Sequence, residues 1–419
     1  MTGTTEQKVI RHRLTNLDIY YGWFVVLACY LGAFVIFGIA YSFGVFFEPI
    51  ATEYGLNRAQ TSISFSIQTF VKYTVSAAVM GIFAQRYGSR KLFWTGAFCI
   101  IAGLSGVVLA DSYYTLLLAF SGVLAVGLGT IFIIAYATIP RWFHRRRGLA
   151  TGITTMGLAT GTLAVPPTAT YFLQRWDWQI AYLALLAPMT ILLLIAVILY
   201  TDRPSKLGVD TSDEFPDGYD GNTGGSIGEL KSIVKSRSFV LAITGWVFIF
   251  FSLYAFLGHI VPFIDDIGLK PWVGASALSI VGATGIIGRA VLGYASDLIG
   301  RVRLFGLSGS LMAIPLILLP AVNSWPTVVS LVAVFGLGFA GADALLSPLT
   351  AELFGATNIF SVFGLLSASF GIAGLIAPYV AGRVYDIYGE YTYVFVVIGV
   401  VGLVGVGLTM RAGQLEDAI

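Results

Sequence analysis

Gly81-Ile82-Phe83-Ala84-Gln85-Arg86-Tyr87-Gly88 recurs 212 residues later as Gly293-Tyr294-Ala295-Ser296-Asp297-Leu298-Ile299-Gly300. Two further landmarks keep nearly the same spacing, Phe143 mapping to Phe354 and Pro167 to Pro378, each at an offset of 211. Three matches at one offset predict two parallel structural repeats. Paired halves of this kind pack around a central cavity, hold a ligand near mid-membrane and alternate access by rocking.

The material of the two halves is apolar. Of 419 residues, 57% are hydrophobic and 11% are charged, against about 25% charged in an ordinary soluble domain. The mean hydropathy is +0.84. A soluble enzyme, a nucleic-acid module and a disordered scaffold are excluded by that balance. Lipid offers the backbone no hydrogen-bond partners, so a spanning helix needs about 20 mostly apolar residues. Twelve such runs lie near 19–47, 61–84, 92–110, 113–139, 148–173, 178–200, 239–264, 274–298, 302–322, 325–351, 358–382 and 391–411. The 49 glycines fall largely within these runs, where small residues permit close approach between membrane helices. No segments of alternating polarity suggest a β-barrel. The expected fold is an all-α integral membrane protein of twelve transmembrane helices, arranged as two six-helix pseudo-repeats around a central cavity.

Residues 201–236 break the pattern. This stretch carries Asp202, Asp210, Asp213, Glu214, Asp217 and Asp220 among several glycines and reads as a linker. Ile227 to Lys235 within it reads as a short interfacial helix. The expected organisation is a tail at 1–18, a six-helix bundle at 19–200, the linker at 201–236, a second bundle at 237–411 and a tail at 412–419. With both termini inside, eighteen of the 24 Lys and Arg residues fall on the inner side. Four fall outside (Arg58, Arg175, Lys270 and Arg383), and Lys72 and Arg289 lie within spans. That bias places both termini and the linker in the cytoplasm. The basic N-terminal stretch leads into an apolar run too long for a cleaved leader, which suits a cell (inner) membrane of bacterial type.

Two cysteines and three histidines make neither a disulfide framework nor a metal-ligand spacing. No phosphate-binding G-x-x-x-x-G-K-[ST] loop is present, so a nucleotide-driven pump is not expected. No cofactor is expected.

Ionisable residues within spans are expensive and point to function. Arg289, in Gly285-Ile286-Ile287-Gly288-Arg289 of the eighth span, stays protonated and presents a planar fork matched to a carboxylate. A structural arginine with an internal partner is the alternative. Asp343 in the tenth span lies at the same depth, about 12–14 Å from the inner end of its helix. It could therefore pair with Arg289, shielding it in an empty site or taking up a coupling proton. Lys72, near the centre of the second span, adds a second cation if it faces the cavity, and a desolvated lysine can lose its proton. His259, near the outer end of the seventh span, reads equally as a proton relay or gate and as an interfacial histidine bonded to nearby carbonyls.

Gly81-x-x-x-Gln85-Arg86-x-Gly88-x-Arg90-Lys91 resembles the loop between spans two and three of the major facilitator superfamily, with Gln85 in place of the usual aspartate. The second half keeps that aspartate as Asp297, before Gly300 and Arg301. The resemblance implies a cytoplasmic gate in which Arg86, Arg90, Asp297 and Arg301 latch helix ends. Simple positive-inside anchoring accounts for part of the same pattern. Asp18-Ile19-Tyr20-Tyr21-Gly22-Trp23 and Trp142-Phe143-His144-Arg145-Arg146-Arg147-Gly148-Leu149-Ala150-Thr151-Gly152 are similar to elements of the monocarboxylate transporter family, including its bacterial oxalate/formate-antiporter-like relatives. In that family the span-eight arginine, here Arg289, holds the substrate carboxylate.

The departures bear on coupling. Gly285 stands where animal members have an aspartate four residues before the arginine, and Tyr41 stands about where they have a span-one lysine. Tyr41 could hydrogen-bond a carboxylate or a hydroxyl, or serve as packing. Lys72 or Asp343 could substitute for the missing coupling groups. The eleventh span, 358–382, has no lysine, whereas the oxalate-exchanging relatives place one there, which favours a singly charged substrate. The expected function is secondary transport of small monocarboxylates of the lactate or pyruvate kind, by proton-coupled symport. The partners are a small carboxylate anion, a proton and the lipid bilayer, and the working unit is a monomer. The alternatives are an oxalate/formate-type antiporter, efflux of hydrophobic compounds, and a ligand sensor that carries nothing. A membrane-embedded enzyme is disfavoured because no nucleophile–base pair is visible.

Overall fold

A computed structural model describes residues 20–56, 58–209, 214–215, 227–269 and 271–416. The expected N-terminal tail with Asp18, the linker acids Asp210, Asp213, Asp217 and Asp220, the outer Lys270 and residues 417–419 lie outside the described residues. Among those described, there is no strand, and twelve helices are long and apolar enough to cross a membrane. In the first half these are α1 (Gly22–Phe46), α2 (Ser64–Tyr87), α3 (Ser89–Val108), α4 (Tyr113–Arg141), α5 (Arg147–Leu173) and α6 (Trp178–Leu199). In the second they are α7 (Arg237–Asp266), α8 (Ser276–Ile299), α9 (Arg301–Ala321), α10 (Trp325–Phe354), α11 (Ile359–Tyr388) and α12 (Tyr391–Leu415). Each helix closes its backbone hydrogen bonds within itself, as lipid requires. A short helix, Ile227–Lys235, precedes α7 where an interfacial helix was expected.

Helix ends are where the sequence expectation needs correction. The second span was expected to stop at 84 and the third to begin at 92, yet α2 runs to Tyr87 and α3 starts at Ser89. Gly88 alone makes the turn, with φ +90°, a conformation that a side chain disfavours. Its repeat partner Gly300 does the same between α8 and α9, with φ +101°. At the far end α11 continues to Tyr388 rather than stopping at 382, and Gly389 caps it in the left-handed region. Arg383, expected in a loop, therefore lies on the last turns of α11, 3.8 Å from Asp386.

The halves meet where glycine removes the side chain. A Cβ on Gly293 of α8 would stand 2.5 Å from the Gly148 carbonyl oxygen of α5, and a Cβ on Gly81 of α2 would strike the Phe360 carbonyl of α11. The two glycines of the recurring motif thus sit at equivalent crossings, α8 on α5 and α2 on α11. Such contacts let backbones touch and gain dispersion without a hydrophobic driving force from lipid.

Filling one crossing should separate the helices. Gly293→Leu should still insert but cost on the order of 2 kcal/mol through overpacking, lowering the melting temperature of the purified protein by several degrees. Gly44→Ala, where nothing lies within 4 Å of the added carbon, should melt as the parent does. An unchanged melting temperature for Gly293→Leu would show that α5 and α8 are not held this closely.

Candidate functional site

Between the halves lies a cavity, with about 450 Å³ of empty space when its open mouth is counted. The first half contributes Phe37 and Tyr41 from α1, Tyr73 from α2 and Phe132 from α4. The second contributes Phe250 and Tyr254 from α7, Phe339 and Asp343 from α10, and Phe370 from α11. Asp343 is the one ionisable acid in the wall, and its pairing decides what the site can bind.

Arg289 Nε donates to Asp343 Oδ2 at 3.0 Å, and Nη1 donates to the Gly285 carbonyl, also at 3.0 Å. The equal depth read from the sequence is realised as a direct ion pair. A Cβ on Gly285 would stand 2.6 Å from Nη1, so the glycine makes room for the guanidinium. The guanidinium carbon lies 5.1 Å from the centre of the Phe339 ring, a cation–π contact. Arg289 is 1% exposed, and its Nη2 is buried with no hydrogen-bond partner. The Tyr136 hydroxyl of α4 is buried and equally unpartnered; it approaches Asp343 without forming a hydrogen bond of ordinary geometry. Tyr136 was not singled out from the sequence, where it reads as one more aromatic in an apolar run.

The other expected site residues fall in three different settings. Lys72 is buried in a π-helical stretch of α2, Val71–Ser76, a distortion often found at functional positions. Its ammonium sits 4.3 Å from the Tyr73 ring centre and 5.5 Å from that of Phe37, against two rings of the cavity wall. Tyr41 lines the mouth and keeps 41% of its surface exposed. His259 lies away from the cavity wall, its ring nitrogens 3.1 Å from the Pro378 carbonyl and 3.4 Å from the Tyr391 hydroxyl. It joins α7 to α11 and α12, the carbonyl-bonded arrangement rather than an evident relay.

At the end of the bundle rich in Arg and Lys, here the basic face, the halves are latched together. Asp297 accepts from the Gly148 and Leu149 backbone amides at 2.8 and 3.0 Å, a carboxylate held at the N-terminus of α5. Arg301 donates to Asp297, to Glu352 and to the His144 carbonyl. Across the pseudo-symmetric crossing the work is done by Gln85 of the motif together with Arg141 and Thr357, which lie outside it. Gln85 donates to the Thr357 carbonyl at 2.6 Å and accepts from Arg141 at 2.9 Å, while Arg141 lies over the Phe360 ring. Arg86 instead extends over the Tyr87 ring and is exposed, and Arg90 is half-buried at the start of α3. Two linker residues also reach this face: Glu214 accepts from the Arg146 amide, and Phe215 packs beside the His144 ring. Burial and then Arg147, Arg301 and Arg145 push the His144 pKa below its ordinary value, which favours its neutral form. These contacts bridge the two halves at the basic face.

The ion pair makes a checkable statement about stability. Asp343→Leu should leave a buried guanidinium uncompensated, a loss on the order of 3 kcal/mol, and lower the melting temperature accordingly. Arg289→Met combined with Asp343→Leu should recover most of that loss. If the double variant melts no higher than the single one, the two side chains are not energetically coupled.

Comparison with known proteins accounts for this arrangement. Residues 29–297 and 275–414 match the family model of the Major Facilitator Superfamily. The chain is 26% identical over 414 residues to monocarboxylate transporter 13 of Rattus norvegicus, covering 97% of this chain and 92% of that protein. It is 24% identical over 401 residues to monocarboxylate transporter 2 of the same species, covering 91% and 81%. The crystal structure of FucP in its outward conformation matches with a TM-score of 0.73 at 14% identity, covering 93% of this chain and 98% of that one; this likeness speaks to fold. The chain belongs to the major facilitator superfamily, as a multi-pass membrane transporter rather than an enzyme, with monocarboxylate transporters among its full-length relatives.

Proposed function

We propose that this protein carries small monocarboxylates, of which lactate and pyruvate are the simplest members, together with a proton. The observation that carries the proposal is the buried Arg289 fork with one donor nitrogen left unpartnered behind Asp343 at the cavity wall. A carboxylate is the ligand whose two oxygens match a guanidinium.

In the empty site Asp343 occupies the arginine. A proton arriving from the cavity neutralises Asp343 and weakens its hold, and the substrate carboxylate then takes the vacated nitrogen. The Tyr136 hydroxyl is placed to donate to the incoming anion or to its 2-oxygen. Proton and anion together add no net charge to the buried site, which keeps the loaded carrier free to rock. Release of both on the other side restores the Arg289–Asp343 pair. Lys72 supplies the positive charge of the first half beside the same wall, and Tyr41 stands at the entrance as a hydrogen-bonding group. Arg301 and Asp297 close the gate during this cycle.

The charge bias of the loops orients the molecule. The basic face is the cytoplasmic one, both termini lie on that side of the cell membrane, and residues 201–236 link the two bundles there. A monomer contains every element that the cycle uses.

Proteoliposomes reconstituted with the protein should take up labelled pyruvate and L-lactate faster with an inward proton gradient than without one. Arg289→Lys, which keeps the charge but loses the fork, should reduce uptake by at least tenfold, and Asp343→Asn should uncouple uptake from the gradient. If folded protein takes up neither acid but exchanges preloaded oxalate, the carrier is a dicarboxylate antiporter and Lys72 is its second cation.

A further inference from the structure

We infer that the preferred substrate carries an aromatic ring beside its single carboxylate. This inference rests on the carboxylate reading of Arg289 and deepens it, because it concerns the part of the substrate that points away from the arginine.

Eight of the twelve side chains that line the cavity are aromatic, four from each half. A three-carbon acid presents one methyl group to such a wall and leaves most of its ring surface unmatched. The rings are also mutually oriented. Phe250 and Phe370 stand with centres 4.1 Å apart and planes at 82°, Tyr73 meets Phe370 at 77°, and Tyr73 meets Phe132 at 84°. Aromatic rings prefer edge-to-face contact because the ring face is electron-rich and the edge electron-poor. A wall of perpendicular rings offers both faces and edges, so a further ring can complete the pattern in a way that an aliphatic chain of equal bulk does not. The Lys72 ammonium over the Tyr73 and Phe37 rings occupies part of their surface and leaves other parts to the cavity.

Position supports the same division of labour. Among the lining side chains the one carboxylate is Asp343, with Arg289 behind it, while the Lys72 ammonium lies against the Tyr73 and Phe37 rings. Phe339 lies on the same helix one turn earlier, against the guanidinium. A substrate anchored there by its carboxylate therefore projects its remaining atoms among the rings. Since Tyr73 and Phe132 belong to the first half and Phe250 and Phe370 to the second, one aryl group touches both halves at once. It is thereby read by both bodies that rock, while the carboxylate is read by the second half.

The test is competition in reconstituted vesicles. Uptake of labelled pyruvate is measured against unlabelled phenylpyruvate, 4-methyl-2-oxopentanoate and pyruvate itself, and labelled phenylpyruvate is followed directly. Phenylpyruvate should half-saturate at a concentration at least tenfold below pyruvate and severalfold below the branched aliphatic acid, and should itself accumulate. Phe250→Leu and Phe370→Leu, which keep apolar bulk but remove a ring, should bring the ratio of the phenylpyruvate and pyruvate values toward one. The wild-type series decides the matter even if a variant fails to fold. Equal handling of all three acids, or block by phenylpyruvate without its entry, would overturn the inference and leave the carboxylate carrier standing. Absence of transport for every acid would overturn the carboxylate reading itself, and the preference with it.

Discussion

A guanidinium held away from water is the constraint that organises the second half. On insertion scales an arginine at mid-membrane costs at least about 2.5 kcal/mol, so its position must be secured by partners on every side. Asp343 fixes α10 beside α8, the Gly285 carbonyl takes a second N–H from within the helix, and Phe339 covers the flat face. The fourth direction is left unsatisfied at Nη2. A buried donor without a partner is unfavourable, and a ligand oxygen relieves it. Ligand binding and closure are also neighbours in space, since a Cβ on Gly152 of α5 would strike the backbone carbonyl of Arg289 itself. Arg289 thus lies on the surface along which the halves touch.

The internal repeat supplies the frame, and its breakdown supplies the chemistry. At the offset of 211 Asp343 corresponds to Phe132, and at 212 Arg289 corresponds to Ala77 and Lys72 to Thr284. The ion-paired positions of one half are thus apolar residues, Ala77 and Phe132, in the other. Phe132 carries a ring of the first half to the position where the second half carries its lining carboxylate. Tyr136 and Ser347 are also repeat partners at 211, and they bond to each other across the axis, Ser347 Oγ donating to the Tyr136 carbonyl. That contact fixes the Tyr136 backbone beside Asp343, one turn above it on α10.

What could be read in the sequence follows from what is local. Twelve apolar runs, the charge bias of the loops and the depth of Arg289 and Asp343 within their helices all depend on counting along the chain, and the helices follow them closely. Gln85 with Thr357 and Arg141 could not be read in this way, because the first pair is separated by 272 residues and depends on how two helix ends are brought together. Tyr136 hides for a similar reason: its polar neighbour is on α10, and nothing within its own apolar run marks the hydroxyl. Helix ends were displaced by several residues at Gly88 and at Arg383 because a single glycine can turn the chain and an i, i+3 ion pair can extend a helix past its apolar part. His259 carried two readings from the sequence, a relay or gate and a carbonyl-bonded histidine; its contacts to the Pro378 carbonyl and the Tyr391 hydroxyl fit the second, although those partners, distant in the chain, could not be named in advance.

The two closures of the basic face are built from different forces. At the α5–α8 crossing a carboxylate, Asp297, grips two amide groups and an arginine; at the α2–α11 crossing the corresponding position is the neutral Gln85, bonded to one carbonyl and supported by Arg141 over Phe360. Charge-assisted hydrogen bonds are roughly twice as strong as neutral ones; the α5–α8 closure has ionised groups on both sides, Asp297 and Arg301, where the α2–α11 closure has the Arg141 guanidinium with neutral acceptors. The α5–α8 closure is also the one connected to the ion pair. Arg289 and Asp297 lie eight residues apart on α8, a rise of about 12 Å, with no proline between them. A helix without a proline between the ion pair and the latch can carry displacement from one to the other. Under the proposed cycle, neutralising Asp343 and loading Arg289 act on the α5–α8 closure through α8, while the α2–α11 closure gives up the contacts of Gln85 and the Arg141 guanidinium.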